Sequence, residues 1–241
     1  MSRKQKALSD KRPAPNQSAT QVLTLFQKAI GLHQQGAINE AQDLYKTILK
    51  LQPDHFDSLH LLGVAHIQTG HLEISVELIS SAIKINPNSA PAYSNLGYAL
   101  KELKRSDFAI SACDKALALN PNYAEAYNNR GNALLELKRF EEAEASFNQA
   151  LRIVPNLAEA YYNRGNALRE LNRLDDALAS YDQALGIKPN LAEAHYNRGN
   201  VFKLLNRLED ALACYEIAIE IRPAYAEALN NRGSALKDLF R

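Results

Sequence analysis

Pro53, Pro87, Pro121, Pro155, Pro189 and Pro223 each stand 34 residues from the next, and Gly63, Gly97, Gly131, Gly165, Gly199 and Gly233 keep the same step. A chain punctuated this regularly is one small unit repeated. A period of this length with one glycine and one proline per unit predicts an all-α fold, a solenoid of stacked helix–turn–helix units. With proline at position 32, the units run 22–55, 56–89, 90–123, 124–157, 158–191 and 192–225, and 226–241 begins a seventh.

Within each unit two apolar stripes recur. Position 4 is Tyr93, Tyr127 and Tyr161, with His195 in the same place, and position 11 is Leu100, Leu134 and Leu168. With glycine at position 8, these spacings of four and three put one stripe on a first helix. Ala109, Ala143, Ala177 and Ala211 hold position 20, Phe147, Tyr181 and Tyr215 position 24, and Ala116, Ala150, Ala184 and Ala218 position 27 of a second helix. Glycine in mid-helix costs about 1 kcal/mol against alanine, so its recurrence predicts close approach of the second helix. Proline then stops that helix by withholding a backbone donor. Asn122, Asn156 and Asn190 are each followed three residues later by Glu125, Glu159 and Glu193. That spacing predicts capping boxes and makes these glutamates structural.

Tyrosine at 4, glycine at 8, alanine at 20, an aromatic at 24, alanine at 27 and proline at 32 resemble the tetratricopeptide repeat. The resemblance covers 22–241 and implies a right-handed superhelix that binds a protein or an extended peptide in a concave groove. The first helices would line it. Position 6 lies ~200° around the helix from the glycine and faces away from the second helix. There stand Asn95, Asn129, Asn163, Asn197 and Asn231, with Asn132, Asn166 and Asn200 at position 9. An amide offers both a donor and an acceptor and so pairs with a peptide backbone. The row is similar to the asparagine ladder of the O-linked N-acetylglucosamine transferases. That likeness implies backbone contacts for these residues, and an alternative reading of the chain as the substrate-recognition arm of such an enzyme. Beside the row, Tyr98, Tyr162 and Tyr196 are candidates for apolar contact, and Lys101, Arg169, Lys203 and Lys237 for electrostatic contact. Arg130, Arg164, Arg198 and Arg232 at position 7 are expected to lay their stems on the surface and reach an acidic group of the next repeat.

Composition narrows the function classes. Net charge is +1, from 28 basic and 27 acidic residues, which gives no basis for a nucleic-acid or acidic-membrane partner. Only residues 1–21 are biased, with Arg3, Lys4, Lys6, Lys11 and Arg12, and they are expected to be a disordered basic tail. Cys113 and Cys214 lie three repeats apart and are expected to be reduced, consistent with a cytoplasmic protein. No catalytic residue, cofactor or metal site is expected, since His60, His66 and His71 do not share a ligating face. Position 5 carries His60, Ser94, Asn128, Tyr162, Tyr196 and Asn230 rather than lysine, which argues against a clamp for chaperone C-termini. Residues 226–241 keep apolar Leu229, Leu236, Leu239 and Phe240. They are expected to continue into a longer chain or to pair with a second copy as a homodimer.

Overall fold

The computed structural model describes residues 17–240, which form thirteen helices. The expected basic tail lies outside them up to residue 16. Its last residues, 17–21, already belong to a helix. Two compact units divide after Pro87. In the first, α1 (Gln17–Gln34) pairs with α2 (Ile38–Leu51) and α3 (Phe56–Gln68) with α4 (Leu72–Ile85), while α2 also packs on α3. Its core gathers around Val22, Ala29, Ala41, Tyr45, Ile48 and Leu62.

The second unit is a solenoid of helical hairpins. α5 (Ala90–Glu102) pairs with α6 (Ser106–Leu119), α7 (Ala124–Glu136) with α8 (Phe140–Ile153), α9 (Ala158–Glu170) with α10 (Leu174–Ile187), and α11 (Ala192–Leu204) with α12 (Leu208–Ile221). α13 (Ala226–Leu239) packs on α12. The first helices also touch one another in series, α5 to α7, α7 to α9, α9 to α11 and α11 to α13. They therefore build one continuous face. Position 20 and position 27 alanines are buried without exception from α6 to α12, as are Phe147, Tyr181 and Tyr215.

The glycine recurrence has the expected cause. A Cβ on Gly165 would lie 2.6 Å from Cε1 of the fully buried Tyr181, so only glycine admits that ring. The turn between the two helices of a hairpin has a recurrent conformation as well. Gly36, Gly70, Lys104, Lys138, Asn172 and Asn206, all at position 15, have φ between 56° and 81°. The left-handed region strains any residue with a Cβ, lysine more than asparagine.

Helix entry differs from the expectation. The residues before α7, α9 and α11 are Tyr123, Leu157 and Leu191, and none caps through its side chain. Asn122, Asn156 and Asn190 sit one residue too early, in the turn after proline. Asn122 instead gives its backbone N–H to Asn120 Oδ1 at 3.1 Å. The capping boxes do not form, and the glutamates are left on the first-helix face. True side-chain caps occur at His55 and Ser89, which accept from the N–H groups of Ser58 and Ala92.

Candidate functional site

The first-helix face of the second unit carries every candidate residue. Its asparagines form a zipper between repeats. Asn163 Nδ2 donates to Asn132 Oδ1 at 2.8 Å. Asn197 Nδ2 donates to Asn166 Oδ1 at 3.0 Å and Tyr162 Oη at 3.1 Å. Asn231 Nδ2 repeats the pattern on Asn200 Oδ1 and Tyr196 Oη at 2.8 and 3.1 Å. Position 6 of one repeat thus reaches back to position 9 of the preceding one. The core tyrosines join in, since Tyr181 Oη donates to Asn166 Oδ1 and Tyr215 Oη to Asn200 Oδ1, both at 2.8 Å. Burial pushes both phenols well above the usual tyrosine range, which keeps them neutral donors. Farther up the row Asn129 is buried and donates to Ser94 Oγ at 3.2 Å. Asn95 holds the same register in α5.

Three of the four candidate cations are engaged too. Arg169 donates to Asn197 Oδ1 and Glu170. Lys203 donates to Ser234 Oγ at 2.7 Å, and Lys101 pairs with Glu102 while its ammonium lies 5.1 Å from the Tyr98 ring centroid. They follow one edge of the face, near the C-terminal ends of α5, α9 and α11. Glu125, Glu159 and Glu193 follow the opposite edge, near the N-terminal ends of α7, α9 and α11. The glutamates were missed as site residues because the capping spacing accounted for them.

Three of the four position-7 arginines, Arg130, Arg164 and Arg198, make structural bonds, but they reach backward. Arg130 Nε donates to Asp114 Oδ1 at 2.7 Å and its NH1 to Ser146 Oγ at 2.7 Å. Arg198 bridges Asp182 and the Cys214 sulfur, and Arg164 bridges Asn148 and Ser180. The acidic partner lies in the second helix of the preceding repeat, not of the next one. Each hairpin is staggered so that its first helix faces the preceding second helix, and the guanidinium fork spans both neighbours.

Two cavities of ≈450 Å³ each open on the face, one repeat apart. The first is lined by Tyr98, Ala124, Glu125, Asn128, Asn129, Val154, Leu157 and Glu159. The second is lined by Ala158, Glu159, Tyr162, Asn163, Lys188, Leu191 and Glu193. Except for Tyr98, each lining residue of the first has its counterpart 34 residues on in the second. Among the described residues no cluster of His, Cys, Asp or Glu is arranged to hold a metal, and no helix is long and apolar enough to cross a membrane.

Family comparison agrees with this geometry. Tetratricopeptide repeat models match residues 32–100, 88–156, 146–179 and 192–225, and a TPR repeat model matches 165–206. Together they run without a gap from 32 to 225, and the chain belongs to the tetratricopeptide repeat proteins. No curated protein matches it. Among solved structures, a thermophilic TPR protein of Thermus thermophilus is 26% identical with a TM-score of 0.62, over 75% of this chain and 98% of its own. Pseudomonas aeruginosa PilF aligns over 91% of this chain and 100% of its own, with a TM-score of 0.78 at 18% identity. YrrB, described as a TPR protein with an unusual peptide-binding site, has a TM-score of 0.63 at 21% identity, over 78% of this chain and 97% of its own. The last two likenesses are of fold. The narrower likeness to O-linked transferases rests on the asparagine row alone.

Proposed function

We propose that the chain is a non-catalytic interaction module that holds an extended segment of a partner protein along the first-helix face of residues 88–240. The observation that carries this is the pair of like cavities set one repeat apart on that face. Helices in contact lie about 8–10 Å apart. A polyproline II segment advances ~3.1 Å per residue with three residues per turn, about 9 Å per turn. One side chain in three would therefore drop into successive cavities, with the amides and tyrosines beside them taking the backbone. The peptide-binding site ascribed to YrrB gives a precedent on the same fold.

Among the described residues, the Oδ1 atoms of Asn163 and Asn231 accept no hydrogen bond, and they remain for a ligand backbone N–H. The asparagines in this reading both clamp neighbouring repeats and contact the ligand. Titration with a short peptide repeating Ala-Pro-Xaa tests it. Tyr98→Ala and Leu157→Ala should weaken binding, while Phe108→Ala, 67% exposed on the second-helix side, should not. Equal effects of all three, or no binding, would overturn the proposal. A second copy docking on α13 is favoured by the exposed Leu229, Leu236 and Phe240. A concentration-independent monomer in sedimentation would exclude it.

A further inference from the structure

The two cavities differ in charge, and the difference has a definite source. In the second, Glu193 is paired by Arg222, and Lys188 stands in the wall. Burial is the largest influence and would raise the Glu193 carboxyl, but the Arg222 bond, a backbone hydrogen bond and the charges of Arg222 and Lys188 together hold it below the usual range. Lys188 and Arg222 both occupy position 31 of their repeats. The same position at the first cavity is Val154. Glu125, the counterpart of Glu193, therefore meets valine where Glu193 meets Arg222. It accepts from the Tyr123 hydroxyl at 3.2 Å. Glu159 across the cavity is held by the amides Asn128 Nδ2 and Asn132 Nδ2, at 3.2 and 3.4 Å. These orient its carboxylate without neutralising it. Among the described residues neither glutamate has an ion-pair partner. Asn128, 6% exposed in the cavity wall, also has its Oδ1 buried with no donor among them.

We infer that the cavity between α7 and α9 selects a lysine or arginine side chain of the bound segment. Tyr98, Val154 and Leu157 cover its aliphatic stem, and Glu125 and Glu159 receive its charge. The inference rests on the peptide-binding reading above and names the ligand chemistry of the same face. An amphipathic side chain of this kind suits the cavity because its stem is apolar and only its tip is charged. Bulk attraction does not account for such a preference, since the chain carries a net charge of only +1. The neighbouring cavity supplies its own cations and takes no such residue.

The test uses fluorescein-labelled peptides repeating Ala-Pro-Gln, in which one central Gln is kept or replaced by Lys or Glu, titrated into the whole chain. The Lys peptide should bind about five-fold more tightly than the Gln peptide, the scale of a solvent-accessible ion pair. The Glu peptide should bind more weakly still. Glu125→Gln with Glu159→Gln should erase the preference, bringing the Lys and Gln peptides to the same affinity. Val154→Lys, which copies the residue already accommodated at 188, should erase it as well. Equal affinities for the three peptides, or a preference that survives both variants, would overturn the inference yet leave peptide binding intact. Failure of every peptide to bind would remove both readings.

Discussion

Gly165 and Gly233 occupy the same position of the repeat, yet alanine should act in opposite directions at the two. At Gly165 the new Cβ would lie 2.6, 2.8 and 3.0 Å from Cε1, Cδ1 and Cζ of Tyr181. Carbon atoms rest about 3.5–4.0 Å apart, so the ring must retreat by about 1 Å. It has nowhere to go, being fully buried, and its hydroxyl is committed to Asn166 Oδ1 at 2.8 Å. Overpacking of this kind costs about 1–3 kcal/mol. Losing the hydrogen bond costs about 1 kcal/mol more, and the helix preference for alanine returns about 1 kcal/mol. The net is a destabilisation of about 2 kcal/mol. At Gly233 a Cβ meets nothing within 4 Å, leaving only the gain of about 1 kcal/mol. Urea unfolding followed by circular dichroism reads the first change. Amide exchange in α13 reads the second, because a terminal helix opens locally. If Gly165→Ala stabilised the protein as much as Gly233→Ala, the account of the recurring glycine as a slot for the aromatic ring would be refuted.

Other outcomes follow from the same contacts. Asn197→Ala removes bonds to Tyr162 and Asn166 and should lower stability by about 1–2 kcal/mol in urea melts; an unchanged melt would mean the zipper carries no load. Lys138→Gly relieves a left-handed turn at φ 58° and should stabilise by about 1 kcal/mol, read as a raised urea midpoint. Burial raises the Glu136 carboxyl, but donation from Lys104 and Ser106 outweighs it and leaves the folded value below the unfolded one. Its stabilisation is therefore full above the unfolded pKa, roughly 4, and is lost as pH falls through the folded value. Glu136→Gln should flatten that part of the acid limb of a stability–pH curve, and an unaltered limb would contradict the assignment.

The repeat architecture was legible because proline and glycine act locally, and their step reported helix ends and helix contacts directly. His195 was correctly placed by register alone; it is buried, with Nε2 2.8 Å from the Pro189 carbonyl. What escaped depends on how one repeat is staggered on the next. The position-6 and position-9 asparagines were assigned to one face, but their mutual bonding needs an inter-repeat register that no single repeat contains. The same stagger turned the arginines toward the preceding repeat. The capping error came from a single residue. Proline and its turn delay the helix, so a spacing of three that fits a cap falls instead on the turn and the second helical residue. Gly36 and Gly70 announce the left-handed position 15, but lysine at 104 and 138 hides it.

The most direct test of the central claim is a residue-resolved NMR map of the whole chain titrated with a peptide repeating Ala-Pro-Gln in which one central Gln is replaced by Lys. The account predicts shifts in α5, α7, α9 and α11, concentrated at Tyr98, Asn128, Tyr162 and Asn163. Shifts confined to α6, α8, α10 and α12, or none at all, would contradict it.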